Sequence, residues 1–205
     1  FAENKLNYEK HQAKLVSFAE KMMDCLSEHD KIEYKSGKKS VIRVYRDIRF
    51  SKDKSPYKTY SGMGFRRSSQ LLRGGYYLHI EPGNSFVGGG FWEPNKEDLL
   101  KIRKGIEFDE GEFRKIITSE EFVSVFGKLK GNQLKTCPKG FSKDSSAIDL
   151  LRYKQYLLTK EFSDDEVLLD TFFDEADKVF KAMRPFLDFM SYILTTDENG
   201  VPLFE

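Results

Sequence analysis

Nearly all the strong strand signal in this chain falls between residues 41 and 92, with helical periodicity both before and after it. A parallel sheet needs strands that alternate with crossover helices. Strands gathered in one block instead predict an α+β fold, with a mostly antiparallel sheet packed against several helices. A chain of 205 residues is long enough for one substantial core and short for two, so a single domain over residues 1–205 is expected.

Before the block, Leu15, Phe18, Ala19, Met22 and Leu26 recur at helical spacing among Lys and Glu, predicting a long amphipathic helix over residues 3–28. Residues 41–47 are rich in β-branched side chains and predict a strand, with Ile42 and Val44 on one face and Arg43 and Tyr45 on the other. Pro56 argues against a central strand through residues 51–56. Further strands are expected over 59–66, 76–81 and 85–92, and Glu81-Pro82-Gly83-Asn84 between the last two is a type II turn signal. After Pro94 come three helical patterns, over residues 99–106, 113–117 and 122–126. A short helix at 148–151, a last strand over 153–162 and a helical region to about Leu194 complete the chain. Ser163 with Glu166 has the capping-box pattern, and Pro185 is expected to break or kink the region that follows.

Hydrophobic residues at 39% and charged residues at 33% describe an ordinary soluble domain. No apolar run approaches the roughly 20 residues that span a bilayer, and no signal-peptide pattern opens the chain. Cys25 and Cys137 have neither CxxC spacing nor a neighbouring His, so two free thiols in a reducing, cytoplasmic setting are expected. The net charge of +1 hides a dipole: residues 38–73 hold eleven Lys and Arg against Asp47 and Asp53, and residues 161–205 hold twelve acids against three bases. That layout fits an anionic ligand on the basic side, and equally two ends that face and neutralise each other.

The densest polar chemistry lies in residues 43–59, where six bases stand against two acids. Arg43, Arg46, Arg49, Lys52, Lys54 and Lys58 are candidate ligands for a carboxylate or phosphate, because Arg supplies a planar fork of donors and Lys a point charge. Tyr45, Ser51 and Tyr57 extend that binding set, and Asp47 is a candidate acid or base. The same residues support another reading, in which Asp47 and Asp53 pair with Arg43, Arg46 or Arg49 and simply brace the loop. The two readings are compatible, since a bound anion needs oriented arginines.

The pattern Arg43-x-Tyr45-Arg46-Asp47-x-Arg49-Phe50-Ser51-x-Asp53-Lys54-x-Pro56-Tyr57-Lys58-Thr59 closely resembles the signature of the family called domain of unknown function 2461. The resemblance continues through Gly75-Tyr76-Tyr77-Leu78-His79-Ile80-Glu81-Pro82-Gly83 and Gly88-Gly89-Gly90-Phe91-Trp92, with echoes at Pro138-Lys139-Gly140-Phe141 and Asp149-Leu150-Leu151. It covers essentially the whole chain. It implies an uncharacterised bacterial or fungal protein, and a short further segment upstream of Phe1. Where members often carry His-Pro after the acid that matches Asp144, this chain has Ser145-Ser146, so no role for that His transfers. The resemblance implies no activity.

A second patch lies on the hairpin. Period-2 alternation puts Tyr77, His79 and Glu81 on one face and Tyr76, Leu78 and Ile80 on the other. With Pro82-Gly83 as the loop, Tyr77 pairs with Gly88 and His79 with Phe86, and Gly88 and Gly90 leave space on the Tyr77 side. Such a face could hold a ligand, with Tyr77 in contact and His79 or Glu81 as proton carrier. The favoured alternative is that the glycines admit a packed aromatic and that His79 is partly buried and hydrogen-bonded.

Other chemistries lack their motifs. There is no GxxxxGK[ST] loop, no GxSxG elbow and no dinucleotide fingerprint, and His11, His29 and His79 have no metal-ligand spacing, so neither a cofactor nor a metal is expected. Cys137 reads as structural. The first functional expectation is a small phosphate- or carboxylate-bearing ligand, with or without a reaction; the alternative is a non-catalytic module that docks nucleic acid or an acidic protein.

Overall fold

A computed structural model describes residues 4–197 and 199–203. Helix α1 spans Lys5–His29; residue 3, where the sequence pattern begins it, lies outside the described residues, as do the acids Glu198 and Glu205. A single helical turn, α2 (Gly37–Ser40), leads into the strand block of β1 (Ser61–Arg66), β2 (Gly75–Ile80) and β3 (Ser85–Phe91). Helices α3 (Lys96–Phe108), α4 (Glu110–Ile117), α5 (Glu120–Phe126) and α6 (Ile148–Leu151) separate these from β4 (Tyr156–Phe162). Helices α7 (Asp164–Leu168), α8 (Phe172–Ala182) and α9 (Arg184–Thr195) follow. The order β1-β2-β3-β4 is antiparallel throughout, so the fold is α+β.

The hairpin has the expected register, Tyr77 opposite Gly88 and His79 opposite Phe86. Its turn closes through Asn84 N–H donating to the Glu81 carbonyl at 2.9 Å, with Gly83 at φ +73°, a value that a type II turn requires and that side chains resist. The capping box also forms: Ser163 Oγ accepts from Glu166 N–H at 3.3 Å, and the Glu166 carboxylate accepts from Ser163 N–H at 2.7 Å. Pro185 sits in the first turn of α9, where its missing N–H costs nothing, and the helical region divides just before it.

Residues 41–47 depart from the strand expectation. Val41 and Tyr45 make only isolated bridges, to Met63 and Tyr57, and the segment folds back on itself as an irregular arm. Arg46 N–H donates to the Pro56 carbonyl at 2.9 Å and Lys58 N–H to that of Val44 at 2.8 Å. β-Branched residues favour extended backbone, but a ladder also needs a partner of matching length, and here Pro56 and the polar tip cut it short.

One face of the sheet carries Met63, Phe65, Tyr76, Leu78, Val87, Tyr156 and Leu158, each at most 2% exposed. Helix α8 lies against it, with Phe180 edge-on to Phe65 and Tyr76 at centroid distances of 6.0 and 5.2 Å. At the margin of this layer sits a buried charge cluster. The Arg67 and Asp30 side chains are 0% and 1% exposed and are joined by Arg67 Nε donating to Asp30 Oδ2 at 2.7 Å. Tyr76 O–H donates to the same oxygen at 2.6 Å, Arg67 Nη1 to Ser191 Oγ at 3.1 Å, and Arg67 also pairs with Asp188. Taking two charges out of water is costly, and these bonds offset that cost in part while tying α1, β1, β2 and α9 together.

Candidate functional site

The opposite face of the sheet is formed by Gly62, Gly64 and Arg66 of β1, Gly75, Tyr77 and His79 of β2, Phe86, Gly88 and Gly90 of β3, and Leu157, Thr159 and, at the hairpin end outside the groove lining, Glu161 of β4. Five of these twelve positions are glycine, so the floor is cut down to backbone across the middle of the sheet. A groove of about 770 Å³ results, within the range of small-molecule sites. At Gly64 an added Cβ would meet no atom within 4 Å, which marks it as open floor. Gly62 is different: a Cβ there would come within 2.6 Å of the Tyr77 hydroxyl, so the absent side chain is what lets that phenol lie down. Tyr60, Tyr77, Phe86 and Trp92 supply aromatic walls. Lys39 and Arg66 supply charge; among the described residues neither has an ion-pair partner, and no carboxylate lines the groove.

A hydrogen-bonded chain runs along one wall. Thr59 Oγ1–H donates to Glu81 Oε1 at 2.6 Å and Asn84 Nδ2–H to Glu81 Oε2 at 2.9 Å. His79 Nε2 lies 3.2 Å from Glu81 Oε2, and His79 Nδ1 lies 3.0 Å from the Tyr77 hydroxyl. These bonds, that from Thr59 foremost, hold the Glu81 carboxyl down at about 2. An ionised carboxylate only accepts, so a neutral imidazole carries its proton on Nε2 and accepts the Tyr77 O–H at Nδ1. Burial, with the nearby Tyr60 and Glu81, pushes the Tyr77 phenol up to about 12 and keeps that proton in place. Phe86 stacks on the His79 ring at 4.8 Å and 15°, and Tyr60 lies 4.4 Å away. A proton taken up at the Tyr77 oxygen could therefore pass on to an imidazole whose charge Glu81 compensates. His79 is 7% exposed, so it is buried and bonded as the favoured reading has it, yet it also borders open space.

The basic stretch lies elsewhere, on the arm. Arg46 pairs with Asp53 and reaches the Ser55 carbonyl at 3.4 Å and Ser51 Oγ at 3.5 Å. Asp47 is bound by Arg49 through Nε at 2.9 Å and Nη2 at 2.6 Å, which lowers its pKa. The Ser55 hydroxyl and amide, then Arg46, hold Asp53 far below the usual carboxylate range. Lys54 donates to the Ile48 carbonyl at 2.9 Å, and Lys58 to those of Arg43 and Tyr45 at 2.6 and 2.9 Å. Tyr45 and Tyr57 pack at 5.6 Å. Arg43 and Lys52 have no ion-pair partner among the described residues. Tyr77, His79 and Glu81 are thus brought together, whereas Arg43, Tyr45, Arg46, Asp47, Arg49, Ser51, Lys52, Lys54, Tyr57 and Lys58 sit apart from the groove.

A model of the conserved hypothetical protein family, domain of unknown function 2461, matches residues 1–189. The chain belongs to this family. The stretches of this chain that carry the resemblance are, in three dimensions, the arm and the hairpin: the first braces itself and the second helps to build the groove. Neither a curated protein nor a solved structure matches the chain. The sequence reading missed Lys39, Tyr60 and Arg66 and placed Phe86 only as the strand partner of His79. The β1–β2 register, had it been assigned, would have placed Arg66 and the β1 glycines beside Tyr77. Among the described residues no group of His, Cys, Asp and Glu could hold a metal, and no helix is long and apolar enough to cross a membrane.

Proposed function

We propose that the chain binds a small anionic ligand, bearing a carboxylate or phosphate on a flat or apolar body, in the groove over the open sheet face. The observation that carries this is the lining itself: a glycine floor, aromatic walls, and two cations with no carboxylate to neutralise them. Apolar walls supply affinity by burial, and the planar guanidinium of Arg66 offers paired donors to an oxyanion. The Glu81–His79–Tyr77 chain is the proton carrier if the bound molecule reacts; Asp47, already spent on Arg49, is not. The test is a thermal-shift screen with aromatic carboxylates, phosphorylated metabolites and nucleotides. One class is expected to raise the midpoint by about 5–10 °C at about 100 times Kd, and to lose the effect in Arg66→Gln. A shift unchanged in that variant removes the groove as the site.

A second reading is docking of nucleic acid or an acidic protein on the arm. It is favoured by Phe50, 95% exposed beside the Arg49 guanidinium at 5.8 Å. Such binding would weaken steeply between about 50 and 200 mM salt.

A further inference from the structure

We propose that a recess between α1 and the root of the arm is a binding site for a small oxyanion, phosphate or carboxylate, with Lys58 as its counter-charge. The recess holds about 200 Å³ and is lined by Tyr8, His11 and Gln12 of α1 and by Lys58, Thr59 and Ser61. Its volume suits a phosphate or carboxylate group and falls short of a nucleotide. Two of the three Lys58 ammonium donors are spent on the Arg43 and Tyr45 carbonyls, at 2.6 and 2.9 Å, which fixes the nitrogen and leaves one N–H for another acceptor.

No carboxylate of the described residues pairs with Lys58, and none lines the recess. The Tyr60 ring lies 6.0 Å from the ammonium, but partial burial and the Arg43 guanidinium disfavour the charge and together lower the Lys58 pKa. A cation that is partly desolvated, held in place and faced by a like charge gains when an anion arrives. Beside it, His11 Nε2 and Ser61 Oγ lie 3.2 Å apart, adding polar groups at the mouth. The recess shares only Ile42 and Tyr60 with the groove, so it is a second site whose occupancy does not require the first.

Thermal unfolding with inorganic phosphate, and separately with acetate, each against sodium chloride of matched ionic strength, tests the site. At about ten times Kd at least one of the two is expected to raise the midpoint saturably by about 3–5 °C. The rise should vanish in Lys58→Met and in Gln12→Trp, which fills the recess from the helix and leaves Lys58 and its two carbonyl bonds intact. It should persist in Arg66→Gln, which alters only the groove. Saturation by phosphate alone makes this a phosphate site, and by acetate alone a carboxylate site. The proposal is overturned by the absence of a saturable rise with either anion, by a rise retained in Gln12→Trp, or by a rise lost in Arg66→Gln.

Discussion

At Gly64 a side chain would meet open space, whereas at Gly62 it would strike the Tyr77 hydroxyl, so two glycines a pair apart on one strand do different work. Gly64→Val is therefore expected to leave stability unchanged or raise it by about 0.5–1 kcal/mol, since a β-branched residue suits a strand better. The same substitution should abolish ligand binding in the groove, and a denaturant melt beside a binding isotherm separates the two effects. Arg67→Met should behave oppositely. It strips the buried Asp30 of its main partner and is expected to cost about 3–5 kcal/mol in urea unfolding. Arg67 was invisible as a structural residue in the sequence, where it counts as one more base in a basic stretch. Its role depends on Asp30 and Asp188, 37 and 121 positions away, and no local pattern carries that information. His79 was legible in part: period-2 alternation places it beside Tyr77 and Glu81, while the openness next to it depends on how distant parts of the chain pack around that face.

The elements that the sequence announces most clearly are those whose signals are local. The hairpin register follows from Pro82-Gly83 and alternation, and α7 starts where Ser163 and Glu166 cap each other. Ser163→Ala should cost about 1 kcal/mol, measured by chemical denaturation. The arm is the counter-example: residues 41–47 have strand composition but lack a neighbour to pair with along their length. Its bracing is by ion pairs on the surface, with the Arg46 and Asp53 side chains 29% and 58% exposed. Exposed pairs contribute little to global stability. Arg46→Ala is thus expected to lower the free energy of unfolding by less than about 1 kcal/mol, while amide exchange across residues 46–58 accelerates. A large global loss would mean that the arm is part of the cooperative core.

Across the whole molecule the charge dipole does not collapse on itself. Of the eleven bases in residues 38–73, only Arg67 pairs with an acid of the C-terminal region among the described residues. Acid should therefore unfold the protein through local carboxylates. Asp47, Glu81, Glu110, Asp149 and Glu166 all have pKa values lowered by hydrogen bonds in the folded state, so the stability they confer is present above their unfolded values. Glu81 sets the window: its contribution is complete above about 4.5 and is lost as pH falls towards about 2. Tyr77 acts at the other end, because a raised phenol confers stability below 10 that is lost as pH rises towards about 12. Urea midpoints between pH 2 and 12 should trace a plateau with both shoulders. The groove has one more property at this scale. The only Trp of the chain, Trp92, stands at its wall and is 65% exposed. The protein's intrinsic emission thus comes from the place where a ligand would lie, and a blue shift or quench on titration would report occupancy without any label.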